Sequence, residues 1–183
     1  MNLKALIQNI PKPVKLAILI VILAKILVLS IGYAVTALNN GPPAPLDILM
    51  QTFSRWDAPH YVDIAKNWYV NSGDQANFIV FFPLYPILIR LTTIDFAYGN
   101  LSALIISNAS SLIAFFYLYK LAKLEFNSDV AVKAVLFLSV FPTAYFLSAP
   151  YTEGLFFAKS SPASTMQGWA NGSSQVYWAC LRL

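Results

Sequence analysis

The densest run of chemically capable side chains is Arg55-Trp56-Asp57-Ala58-Pro59-His60-Tyr61, which sets a carboxylate, two nitrogen bases and large rings side by side. An aspartate in such company can act as a general base, or bind a sugar hydroxyl or a cation. It can equally cap a helix starting at Ala58-Pro59, where proline is tolerated, while Trp56 and Tyr61 sit in an interfacial aromatic belt. Capping uses only part of a carboxylate's acceptor capacity, so both roles can hold at once. A second run, Phe81-Phe82-Pro83-Leu84-Tyr85-Pro86, reads either as a rigid hydrophobic turn or as one wall of a groove for a lipid chain. The third, Phe141-Pro142 through Pro150-Tyr151-Thr152-Glu153, ends on an acid that is either a helix-end charge or a partner for Asp57. His60 is the sole histidine and Cys180 the sole cysteine, which excludes multi-histidine and multi-cysteine metal sites and an internal disulfide. No cofactor is certain, and the isolated Asp57–His60 pair is a weak signal for a divalent cation, which stays open but unsupported. Neither a phosphate-cradling glycine loop nor a nucleophile elbow is present.

The elements that must position these residues are those of a membrane protein. Of 183 residues, 58% are apolar and only 11% charged, against roughly a quarter charged in soluble domains. A soluble fold of this length cannot hide that much apolar surface. The formal net charge of +4 is scattered beside apolar segments rather than gathered in a patch, so nucleic acid is not the expected partner. Three segments reach the ~20 apolar residues needed to cross hydrocarbon: Val14–Leu38, Leu101–Leu121 and Val130–Ala149. The fold class expected is an all-α, multi-pass transmembrane bundle. Phe78–Ile94 contains Pro83, Pro86 and Arg90. Lys4, Lys12 and Lys15 place the N-terminus in the cytoplasm, and Lys120, Lys123 and Lys133 join them there only if 78–94 does not cross. A re-entrant or interfacial helix is therefore expected over 78–94. The loop 39–77, with Asp57, then lies on the non-cytoplasmic side, and Glu153 emerges on that same side. Leu46, Leu49, Met50 and Phe53 repeat at helical spacing, which predicts a short amphipathic helix on the membrane surface. Lys25, deep in the first span, is expected to snorkel or to pair structurally.

The three runs, in this order, resemble the PIG-V family, whose eukaryotic members are GPI mannosyltransferase 2 enzymes. The matching residues are Trp56-Asp57-Ala58-x-His60-Tyr61, then Phe81-Phe82-Pro83-Leu84-Tyr85-Pro86, then Phe141-Pro142 with Pro150-Tyr151-Thr152-Glu153-Gly154-Leu155-Phe156. The resemblance implies an inverting glycosyltransferase of the GT-C superfamily. Such an enzyme moves mannose from a polyprenyl-phosphate mannose donor to a lipid-linked or glycan acceptor. It implies an essential acid in the first outer loop, which maps onto Asp57, with Glu153 assisting. Trp56, His60 and Tyr61 would shape the pocket, and Arg55, Tyr85 and Tyr151 would join them in binding substrate. The partners implied are membrane lipid, the lipid-linked sugar donor and a glycan or glycolipid acceptor. The membrane would be the plasma membrane of a prokaryote or the endoplasmic reticulum of a eukaryote.

Family members are longer and have more spans, so residues 1–157 are expected to be the N-terminal part of such a protein. Residues 158–183 form a Ser-, Gly- and Asn-containing tail of no clear period, either an irregular end or out-of-frame sequence. Two other readings are a non-catalytic membrane fragment and a lipid-binding or transport protein. Transport calls for polar residues along the spans, and only Lys25, Ser107, Asn108, Ser110, Ser111 and Lys133 offer themselves.

Overall fold

The computed structural model describes residues 10–41, 50 and 52–160, and among them there are helices and no strands. The first helix, α1, runs Lys12–Asn40, carries Pro13 in its first turn and stops at Gly41, whose φ of 77° only glycine adopts freely. It rises about 43 Å, more than the ~30 Å of hydrocarbon. Leu19, Leu23, Ile26 and Leu27 stay exposed along it, as lipid contact allows. Helix α2 is Ala58–Asn67, a 3-10 turn follows at Asp74–Val80, and α3 is Leu84–Thr92. After a short 3-10 turn at Phe96–Tyr98 come α4, Gly99–Glu125, and α5, Ser128–Val140. Asn127 starts α5, its side chain accepting from the N–H groups of Asp129 and Val130 at 3.0 Å each.

Among the described residues two helices are long and apolar enough to cross a membrane, Lys12–Asn39 and Phe96–Glu125. They contain the first two expected spans. Over 130–149 the structure differs from the expected single span. Phe141, held extended by Pro142, ends α5, and a 3-10 turn at Pro142–Tyr145 follows. Alone, α5 rises about 20 Å, short of the hydrocarbon thickness. Segment 78–94 is not a straight helix either, because the 3-10 turn and α3 meet at 109° across Phe81-Phe82-Pro83. The expected surface helix over 46–53 lies mostly outside the described residues. Phe53, within them, is buried. Of the expected tail, residues 158–160 continue a helix that begins at 153, while 161–183 lie outside the described residues.

Two apolar cores stack along the bundle. One, built on Ala17, Val21, Phe115, Ala131 and Val135, joins α1, α4 and α5. The other, built on Phe53, Tyr61, Tyr85, Ile89, Ala103 and Tyr151, joins α2, α3, the first half of α4 and the chain after α5. Lys25 lies between them and does pair structurally, donating to Asn108 Oδ1 at 2.9 Å and to Leu147 O at 3.0 Å. Asn108 in turn donates to Ser148 O at 2.8 Å. These bonds hold the segment after α5 against α1 and α4, and so fix where Tyr151 and Glu153 fall. Lys120 and Lys123 sit in the last turns of α4. From Ala103 to Lys120 is about 25 Å along the helix axis.

Candidate functional site

The turn that presents Asp57 is strained. Trp56 adopts a φ of 48°, a left-handed value for a bulky residue, at a cost of about 1–2 kcal/mol. Contacts from the chain beyond α5 hold it there. Tyr151 Oη donates to Arg55 O at 2.8 Å, and the Trp56 ring meets Tyr145 edge-on at 6.0 Å and Phe146 at 6.2 Å. The indole is nevertheless 69% exposed, which leaves a face free as a platform.

Asp57 precedes α2, but its side chain makes no capping hydrogen bond, so the capping reading fails in this structure. Only its carbonyl serves the helix, accepting from His60 N at 3.0 Å and Tyr61 N at 3.3 Å. The carboxylate is exposed, with no hydrogen-bond or ion-pair partner among the described residues. Its whole acceptor capacity is therefore open to a ligand.

Glu153 has the opposite surroundings. It is half-buried, and its Oε2 is buried with no hydrogen-bond partner. Burial raises its carboxyl above the ordinary 4.5, its own backbone N–H pulls part of that back, and the Asp57 charge raises it further. The two acids therefore feel each other, although 96 positions separate them in sequence (153 minus 57). Tyr61 feels both. Burial pushes its phenol up first, Thr152 opposes at a 3.5 Å contact, and the Glu153 and Asp57 charges add to the rise. The Tyr61 hydroxyl thus lies beside Thr152 within the field of both carboxyl groups. The Tyr151 phenol is raised in the same way, chiefly by burial.

The Glu153 shift has a consequence for stability. A carboxyl whose folded pKa lies above its unfolded value binds more protons in the fold, so it stabilises below about pH 4.5 and loses that contribution as pH rises through the folded pKa. Replacing Glu153 with Gln should remove this pH dependence and leave the protein at least as stable as wild type at neutral pH. Thermal melts in detergent over a pH series check it. A variant clearly less stable at pH 7 would show that the ionised carboxylate has a favourable partner.

Beside Glu153 opens a cleft of about 720 Å³, walled by Tyr61, Phe81, Phe82, Tyr85 and Phe156, with Lys159 at its edge. The Phe81–Pro86 run is therefore a groove wall here and more than a turn. The cleft lies at some depth, because Gly154 sits against Ser107 and Ser111 of α4, about two to three turns beyond Gly99. Lys159 Nζ lies 5.8 Å from the Phe82 ring. Sequence reasoning missed this lysine, which fell in the expected tail. The signal was the helical continuation from Glu153.

The remaining expected site residues divide. Tyr85 is buried with its hydroxyl engaged, 2.8 Å from both Ala103 O and Ser107 Oγ, so only its ring edge is left for the cleft. Tyr151 is likewise buried, and its hydroxyl positions the Arg55-Trp56 turn. His60 stacks against Phe78 at 4.5 Å and Phe81 at 5.9 Å, behind the aromatic wall. Arg55 is exposed beside Asp57. Among the described residues no three His, Cys, Asp or Glu side chains converge to hold a metal ion.

No family model matches the sequence, and no solved structure matches it. A GPI alpha-1,6-mannosyltransferase 2 from Mus musculus is 30% identical over 139 residues, covering 68% of this chain. The chain spans 27% of that relative's length. The likeness is distant, and it is to a glycosyltransferase.

Proposed function

We propose that this chain belongs to a membrane glycosyltransferase of the PIG-V kind, in which Asp57 and Glu153 flank the sugar of a polyprenyl-phosphate mannose. The observation that carries the reading is the half-buried Glu153, its Oε2 without a hydrogen-bond partner, at an apolar cleft beside α4, with the charge of the exposed Asp57 reaching it. A lipid-linked donor needs an apolar channel for its chain and polar groups where the sugar meets water. The cleft walls suit the first need, and the two acids with Tyr61 suit the second.

In this reading the acceptor hydroxyl attacks the sugar's C1 while the bond from C1 to the phosphate oxygen breaks. Asp57 takes the hydroxyl proton, as its open acceptor sites and exposure favour. Glu153, whose carboxyl is raised by burial, hydrogen-bonds a sugar hydroxyl and so orients the ring beside Asp57. The polyprenyl phosphate leaves as a stable anion, so no strong acid is required on that side. Attack from the face opposite the phosphate inverts the anomeric centre, turning a β-linked donor into an α-mannoside. The Trp56 face stacks on a sugar ring. The reaction takes place on the non-cytoplasmic side, opposite Lys120 and Lys123. The acceptor is a glycolipid or glycan, and the membrane is the endoplasmic reticulum if the host is a eukaryote.

Transport is the weaker alternative, because four of the six polar residues it would need are bonded inside the bundle. Lys25 and Asn108 bond each other and the chain after α5, Ser107 Oγ donates to Tyr151 O at 2.6 Å, and Ser111 Oγ donates to Asn108 O at 2.9 Å. A lipid-binding protein without chemistry would need the cleft but not the two acids. The reading is tested with a photoactivatable polyprenyl-phosphate mannose added to membranes carrying the chain. Crosslinks are expected within 78–86 and 152–160, competed by unlabelled donor but not by polyprenyl phosphate lacking the sugar. Crosslinking elsewhere, or indifference to the mannose, would sink it.

A further inference from the structure

We propose that Lys66, Arg90 and Trp68 form a site for the phosphate of an anionic phospholipid headgroup, separate from the Glu153 cleft. They line a second cleft of about 420 Å³ with Asn67, Ile87 and Leu91, and the two clefts share no lining residue. Arg90 Nη1 donates to Ala65 O at 2.8 Å and to Lys66 O at 3.0 Å. It thereby satisfies the carbonyls that make the end of α2 electronegative. The other guanidinium nitrogens and the Lys66 ammonium have no partner among the described residues. No carboxylate lines the cleft, and Asp63, a turn back on α2, is occupied by Asn67 Nδ2 at 2.8 Å. The rim therefore carries two cations and no carboxylate of its own, in the arrangement a phosphate suits, a planar donor fork beside an ammonium.

The surroundings select a lipid over a soluble anion. Leu91, which lines the cleft with Trp68, is 77% exposed, Ile94 three positions on is fully so, and Trp68 is exposed as well. Arg90 lies just ahead of Phe96, where the second candidate span begins. The cations thus stand level with the headgroups, where tryptophan also prefers to sit, and the exposed aliphatic residues stand level with the acyl chains. Such a lipid would brace α3 against the end of α2, and both elements wall the Glu153 cleft.

Native mass spectrometry of the purified chain, offered equal phosphatidylglycerol and phosphatidylcholine with identical acyl chains, tests the site. At least five-fold preferential retention of phosphatidylglycerol is expected. Lys66→Gln should reduce that preference to near unity without moving the melting temperature, because the ammonium makes no internal bond. Lys66→Arg should restore it. Equal retention of both lipids, or a preference that survives Lys66→Gln, would overturn the proposal. So would displacement of phosphatidylglycerol by millimolar inorganic phosphate, which would make this a phosphate site indifferent to the acyl chain.

Discussion

Asp57→Asn should reduce sugar transfer by about two to four orders of magnitude, the usual worth of a positioned general base, with little change in donor affinity. Asparagine keeps the shape and one acceptor oxygen of aspartate, so it can still meet a sugar hydroxyl, but it cannot receive a proton. The loss should therefore fall on kcat. Stability is a second, independent reading. An aspartate that caps a helix is worth about 1 kcal/mol over alanine, yet the Asp57 side chain makes no such bond. Asp57→Ala should accordingly melt with wild type while being as inactive as Asp57→Asn. A large stability loss in the alanine variant would return Asp57 to a structural role. Full activity in the asparagine variant would remove it from the chemistry. Transfer of radiolabelled mannose in membranes, with melting curves of the purified variants, measures both.

Much of this arrangement was legible in the sequence, for identifiable reasons. Hydropathy measures the free energy of placing side chains in lipid, and α1 and α4 are helices whose surfaces largely face lipid or small residues, so their apolar runs gave their extents. The same measure is blind to backbone continuity. Residues 130–149 are apolar throughout, yet the helix stops at Val140, and only Pro142, with its restriction on Phe141, carried the warning. Charge placement put Asp57 and Glu153 on one side of the membrane as an expectation, and in the structure the Asp57 charge reaches Glu153. What no local pattern held was the tertiary bonding that sets the distance between them. Lys25 finds its acceptors 83 and 122 positions away. The left-handed Trp56 depends on a tyrosine bonded to Arg55 O from 96 positions further on. Cleft residues beyond Phe157 were lost for a different reason, a change in composition that suggested the pattern had ended.

Gly154→Ala should be the most damaging single-methyl addition in the chain, and no side-chain change should rescue it. A Cβ at Gly154 would lie 2.8 Å from Ser107 O and 3.1 Å from Ser111 N, both backbone atoms of α4. Backbone inside a spanning helix cannot give way as a side chain can, so segment 153–160 must move off α4 instead. Overpacking of this kind costs about 1–3 kcal/mol. The shift also carries Glu153 away from Asp57, and a displacement near 1 Å at a reacting centre can cost about a hundredfold in rate. Gly32→Ala is the control. Its Cβ would meet Thr52 Cγ2 at 2.7 Å, a side-chain methyl that Thr52→Ser removes while keeping the hydroxyl 2.5 Å from Thr36 Oγ1. The double variant Gly32→Ala with Thr52→Ser should therefore recover most of the stability lost by Gly32→Ala alone, a coupling that a double-mutant cycle reads directly. If Gly154→Ala melts and transfers sugar like wild type, the close packing of Glu153 against α4 is wrong. The half-buried carboxyl on which the donor-site reading leans, with its unpartnered Oε2, goes with it.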